Sequence, residues 1–245
     1  MVLEELTSAP PLVQAALYQL TLDRCLGDYE LPDGWYVVAA GNRMEDRAVV
    51  FRMSTALANR FSHVELEVDV DLWAKWAISH DIDPFVVGFI KWRPDLLFQF
   101  HPESSEKSFP TPRTWEFVSQ IKSSGLRPTT RQLLIDGTVG HGAATEFDTF
   151  LTLQTKLPDL DPILAGTSSF WPKELDLRYA IISGLVARAK PQHYEAMLQY
   201  SGGLPSEYSV MLITQLAQRN RSAMATAASW RAWAKKHHEI IPDVD

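Results

Sequence analysis

The sequence predicts an α/β segment with a partial parallel sheet, followed by a mostly α-helical remainder. Three observations predict it. Residues 35–40 form an apolar run without alternation, as in a strand buried on both faces of a parallel sheet. Residues 64–68 alternate Val64, Leu66 and Val68 with two glutamates, the period of a second strand. From Asp71 onward apolar residues recur only at helical spacing, interrupted by proline and glycine.

In chain order, Met1 to Leu3 is an apolar stub ending in Glu4 and Glu5, shorter than the apolar lead expected of a strand. Thr7 and Ser8 can cap a helix, and Pro10 and Pro11 suit its entrance. Leu12, Val13, Ala16, Leu17 and Leu20 then make a helical stripe. Gly27 and the Pro32-Asp33-Gly34 turn bracket a short extended piece over 28–31. After the 35–40 strand comes a helix over 54–59. Further helices are expected over 72–79, 84–91, 115–123 and 131–136, then over 143–153, 176–189, 192–200, 207–219 and 223–238. A boundary between a middle and a C-terminal helical region is placed around 125–128, giving three parts: 1–70, 71–125 and 126–245.

Of the 245 residues, 46% are hydrophobic and 22% charged, as in an ordinary globular protein. A net charge of −7 argues against nucleic-acid binding, which needs a basic face. Cys25 is the only cysteine, so no intramolecular disulfide can form. Acids occupy the place of a basic signal-peptide start, and no apolar run approaches membrane-spanning length. A cytoplasmic protein without membrane contact is the expectation.

Individual motifs have two readings each. Adjacent acids Glu4 and Glu5 at a strand's C-terminal end can hold a metal and polarise a water, or can be a solvated pair. Asn42 leaves the sheet where such folds place ligands, or is a turn residue after Gly41. Arg60 ends a helix, where a guanidinium can bind that helix's own carbonyls or reach a neighbour's phosphate. Arg113 sits at a helix start, where a cation is unfavourable without another partner. Gly137, Gly140 and Gly142 lack the lysine of G-x-x-x-x-G-K-[ST] and read as a helix entrance. His237 and His238 read as a solvated helix end, and tryptophans such as Trp73 and Trp76 as core.

The order of these motifs carries more than any one of them. Leu3-Glu4-Glu5-Leu6-Thr7-Ser8-Ala9-Pro10-Pro11 with Val13-Gln14-Ala15-Ala16-Leu17 resembles the Walker B strand and following helix of MoxR-like AAA+ ATPases. Ala39-Ala40-Gly41-Asn42-Arg43 is similar to that family's sensor 1, and Ala56-Leu57-Ala58-Asn59-Arg60-Phe61 to its arginine-finger segment. Phe109-Pro110-Thr111-Pro112-Arg113-Thr114-Trp115-Glu116 resembles its sensor 2 at the start of a lid helix. The resemblance spans roughly the first 120 residues. It implies an α/β remnant of an AAA+ P-loop core, a helical lid and a mostly α-helical C-terminal region. It implies Mg²⁺ support by Glu4, water activation by Glu5, sensing by Asn42, a trans-acting Arg60 and γ-phosphate contact by Arg113. It further implies ATP as cofactor, a homo-hexameric ring once completed, protein clients and a von Willebrand A-domain partner.

Two departures stand out. Glu4 occupies the family's aspartate position, and no G-K-[ST] occurs in the sequence. The chain thus reads as starting at Walker B, without the P-loop that would cradle phosphates. The expectation is a truncated or split MoxR-type ATPase that is inactive alone. The alternative is a non-hydrolysing protein-binding module that retains the lid and C-terminal helices. An unrelated helical enzyme ranks last, because residues 129–245 show no catalytic constellation.

Overall fold

The computed structural model describes residues 1–44 and 50–237. They form two compact units, one of residues 1–67 with 101–104 and one of the remainder.

The first unit contains β1 (Val2–Leu3), α1 (Pro11–Leu22), β2 (Cys25–Leu26), β3 (Tyr29–Glu30), β4 (Val38–Ala39) and α2 (Thr55–Ala58). Strands β1 and β4 are parallel, with Val2 opposite Val38 and Leu3 opposite Ala39. The Val38 amide donates to Met1 O at 3.0 Å and the Ala40 amide to Leu3 O at 2.9 Å. The apolar stub is therefore a strand despite its shortness. The 28–31 piece supplies β3, which pairs antiparallel with β2. Pro11 opens α1 at a position where its missing N–H costs nothing. Ser54 caps α2 by accepting from the Leu57 amide at 3.1 Å.

Two strand expectations are corrected here. Of 35–40 only Val38–Ala39 is strand, and Trp35, Tyr36 and Val38 are 53%, 81% and 57% exposed. Residues 64–68 form no strand, and Val64 and Leu66 are 81% and 95% exposed. A parallel strand becomes buried only when strands flank it and helices cover both its faces. Among the described residues strand β4 has a single neighbour. The α1 stripe is also only partly inward: Leu20 is buried, whereas Leu12 and Val13 face solvent. Among the described residues of 1–67 the buried apolar side chains are Leu6, Leu20, Leu31 and Leu57.

The second unit is helical: α3 (Val70–Ser79), α4 (Pro84–Trp92), α5 (Pro112–Ser123), α6 (Pro128–Val139), α7 (His141–Thr152), α8 (Asp161–Leu164), α9 (Leu175–Arg188), α10 (Tyr194–Ser201), α11 (Ser206–Arg219), α12 (Arg221–Thr226) and α13 (Trp230–Lys236). The entrances follow from sequence. Asp69 and Asp83 accept amide bonds from Leu72 and Phe85, both at 2.8 Å, and Pro84 fills the first helical position. Thr111 and Thr114 bond reciprocally as a capping box ahead of α5. Gly140, at φ 83°, ends α6 and begins α7, and Gly142 lies in the first turn of α7, whereas Gly137 lies within α6 and not at an entrance.

One continuous core runs through this unit from Trp73 to Trp233. Its hub is Phe89, fully buried, with ring centroids of Phe147, Trp115 and Phe150 at 5.1, 5.4 and 5.6 Å. The Trp115 indole donates to Leu96 O at 2.7 Å, satisfying its one polar group. Trp73 is core as expected, whereas Trp76 is 37% exposed and stacks on His80.

The C-terminal end departs from expectation twice. Residues 223–238 do not form one helix: α12 and α13 are separated where the Ser229 amide and hydroxyl turn to Glu195, at 3.1 and 2.5 Å. His237 is buried against the Trp233 ring, centroids 4.8 Å apart, rather than solvated. His238 lies outside the described residues. Among those described, no helix is long and apolar enough to cross a membrane.

Candidate functional site

The parallel β1–β4 pair brings two distant sequence motifs to one sheet end. Glu5, directly after β1, has φ 55° and ψ 35°, the left-handed region that residues other than glycine seldom occupy. That turn lets the ladder continue past it: the Leu6 amide donates to Ala40 O at 2.9 Å, and Leu6 is buried. The Glu5 side chain points toward the β4 exit. Its Oε2 accepts from Asn42 Nδ2 at 3.3 Å and from the Ser8 hydroxyl at 3.0 Å.

Asn42 is held from the other side, since its carbonyl accepts from the Thr7 hydroxyl at 3.1 Å. Thr7 O in turn accepts from the Phe51 amide at 2.7 Å. Gly41 permits this approach. A Cβ there would stand 2.5 Å from Thr7 Oγ1, 2.9 Å from its Cγ2 and 3.1 Å from its amide nitrogen. Glu5, Thr7, Ser8, Gly41 and Asn42 are thus one hydrogen-bonded cluster. Glu5 and Asn42 are both solvent-exposed. Glu5 Oε1 and the Asn42 side-chain oxygen have no hydrogen-bond partner among the described residues. An ionised carboxylate with a free oxygen beside an amide oxygen can orient a water and take its proton.

The other sequence-predicted residues are placed separately. Glu4 is exposed and has no ion pair or hydrogen bond among the described residues. Arg60 turns back on its own helix. Its Nη1 donates to Ala56 O at 2.6 Å, its guanidinium lies 5.1 Å from the Tyr18 ring centroid, and its buried Nε has no partner among the described residues. Tyr18 is itself tied to Ser54, the α2 cap. Arg113 belongs to the second unit. It is exposed in the first turn of α5, with no ion pair or hydrogen bond among the described residues. The helix-start cation lacks the compensating partner that its position calls for.

Thr7, Ser8 and Tyr18 were not singled out from sequence as side chains that position the site. The spacing Glu5-x-x-Ser8 was the available signal, because an acid and a hydroxyl three apart meet across a single turn. Tyr18 gave none, since its contact with Arg60 spans 42 positions.

The chemistry of the donor set fits the implied cofactors unequally. Glu4 and Glu5 offer hard carboxylate oxygens of the kind that Mg²⁺ takes. Phosphate needs a row of free backbone N–H groups with a lysine, and no such loop occurs in the sequence. These residues alone do not fit ATP. A separate cavity of about 320 Å³ in the helical unit, lined by Phe85, Leu160, Gly184 and Arg188 among others, contains none of the sequence-predicted residues. Comparison with protein-family models, curated proteins and solved structures finds no match.

Proposed function

We propose that this chain provides the water-activating half of a MoxR-type AAA+ ATPase site, whose phosphate-holding half lies outside these 245 residues. The observation that carries the reading is the Glu5–Asn42 contact across parallel β1 and β4, at 3.3 Å. The resemblance assigned these residues adjacent roles, as acid and sensor, although 37 positions separate them. Glu5 serves as the general base toward a water, and Asn42 orients both the carboxylate and that water. Glu4 is the Mg²⁺-supporting acid, Arg60 the residue that acts in trans, and Arg113 the lid cation. The completed assembly is a homo-hexamer that remodels protein clients, with a von Willebrand A-domain partner.

The test is complementation. The chain is joined, or mixed, with a polypeptide carrying a strand and a G-x-x-x-x-G-K-[ST] loop, and phosphate release is measured. Hydrolysis is expected to appear and to fall at least about a hundredfold in Glu5→Gln, the scale of lost base catalysis. Hydrolysis unaffected by Glu5→Gln overturns the reading.

One observation favours a second reading, that of a protein-binding module without hydrolysis. The helical unit holds a continuous core of its own, and among the described residues of 1–67 only Leu6, Leu20, Leu31 and Leu57 are buried apolar side chains. Under that reading the helical unit is the functional body, and removing residues 1–67 leaves binding of its protein partner unchanged.

A further inference from the structure

The cavity of about 320 Å³ in the helical unit has no part in the proposed ATPase half-site. It forms where α9 meets α4 and the connection leading into α8. Ala187 and Arg188 follow Gly184 by three and four positions, so the three share one face of α9. Gly184 and Ala187 present almost no side chain, which leaves room on that face. Phe85 of α4 and Leu160 line the floor, and both are buried. Leu160 lies close against α9, since a Cβ at position 184 would stand 2.8 Å from its Cδ1. Pro158, Asp159, Ala187 and Arg188 are exposed, so an apolar floor meets a polar mouth.

That mouth carries two opposite charges that do not pair with each other. Arg188 has no ion pair or hydrogen bond among the described residues, nor has the side chain of Gln154. Asp159 Oδ1 accepts from the Asp161 amide at 3.1 Å, which orients the carboxylate. Its Oδ2 has no partner among the described residues. Lys122, over the Phe85 ring, is already paired with Asp83 at 2.7 Å.

We infer that this cavity is a binding site for a free α-amino acid with an apolar side chain. The Arg188 guanidinium receives the carboxylate, whose two oxygens its fork of donors matches. Asp159 Oδ2 receives the ammonium, and the Gln154 amide can donate to one end or accept from the other. The apolar side chain enters between Leu157, Leu160 and Phe85. Water can solvate either mouth charge alone. A zwitterion is selected because opposite charges stand over one apolar floor, and it meets both without adding net charge. The volume lies at the lower end of the range for small-molecule pockets, about 300–1,000 Å³, which suits a ligand this small. The inference needs neither nucleotide nor the first unit.

The experiment titrates the full chain with L-leucine, L-methionine and L-phenylalanine and follows the amide chemical shifts of Leu160 and Gly184. The expected result is saturable shifts with a Kd of about 1 mM or below for at least one of the three. Glycine, and the N-acetyl and amide derivatives of that amino acid, lack the side chain, the ammonium and the carboxylate in turn. Each should bind at least about tenfold more weakly. Arg188→Gln should weaken the amino acid at least about tenfold and leave its amide derivative unchanged. Asp159→Asn should weaken the amino acid and leave its N-acetyl derivative unchanged. Ala187→Phe, at an exposed helical position, should block binding while the melting temperature holds. Binding weaker than about 1 mM by all three amino acids overturns the inference. Equal binding of glycine or of either derivative overturns it too. Tighter binding of Leu-Gly-Gly or Gly-Gly-Leu than of leucine also overturns it, because a peptide end would then be the occupant.

Discussion

Replacing Gly41 with alanine tests how the Glu5–Asn42 cluster is held. The added Cβ would meet Thr7 at three atoms, 2.5 Å from Oγ1, 2.9 Å from Cγ2 and 3.1 Å from the amide nitrogen. A χ1 rotation of Thr7 relieves the first two contacts but forfeits its bond to Asn42 O, worth about 1 kcal/mol. The third contact is backbone and yields only if the β1 and β4 ends separate. Overpacking of this kind costs about 1–3 kcal/mol. One or two kcal/mol corresponds to about a 5- to 30-fold rise in opening. Amide exchange at Leu6 and Ala40 should accelerate by that factor, while amides of α4 and α9 keep their rates. Thr7→Ala removes both clashing side-chain atoms, so Gly41→Ala combined with Thr7→Ala should cost less than the two single changes added. Unchanged exchange at Leu6, or strict additivity of the pair, would refute the packing account.

Phe89→Ala should cost about 3–5 kcal/mol, because a fully buried hub ring leaves a cavity among Trp115, Phe147 and Phe150. Chemical denaturation followed by tryptophan fluorescence measures this loss, and a cost below about 1 kcal/mol would contradict the core assignment. Acid should loosen the α10–α13 end. Bonds from the Ser229 hydroxyl and amide hold the Glu195 pKa below its ordinary 4.5, so its stabilisation is present above 4.5 and is lost as pH falls through the lowered value. Burial, then Lys236, holds the His237 pKa below 6.5, so the unfolded chain takes up that proton first and stability falls as pH drops below 6.5. Stability should therefore decline in two stages on acidification, with His237→Phe flattening the upper one; a flat profile between pH 7 and 5 would contradict the His237 part. Under the proposed function, Arg60→Ala in the complemented assembly should cost on the order of a thousandfold in turnover. A loss that merely tracks a lower melting temperature leaves only its bonds to Ala56 O and Tyr18, worth about 1 kcal/mol or less at a helix end.

The helical unit was legible because its signals are local. The 84–91 expectation began at the residue that opens α4, capped by Asp83, whereas α5 begins at Pro112 and not at the expected 115, its entrance closed by the Thr111–Thr114 capping box. The Glu5–Asn42 meeting spans 37 positions, and no local signal in the sequence announces it. Residues 35–40 had the composition of a buried strand, but burial is set by what lies alongside, and β4 has one neighbour among the described residues. The helix break after α12 depends on Glu195, 34 positions earlier than Ser229. The inward turn of Arg60 depends on Tyr18, and the burial of His237 on Trp233, which the helical pattern alone did not distinguish from a solvated end.

The central claim is that these residues hold the water-handling side of an ATP site and not its phosphate-holding side. Titrating purified chain with ATP and Mg²⁺ in a calorimeter tests it most directly. The account predicts no saturable heat at micromolar nucleotide, in the wild type and in Glu5→Gln alike. Micromolar binding by the 245 residues alone would contradict it, because it would require a phosphate cradle that Glu4, Glu5, Asn42, Arg60 and Arg113 do not form.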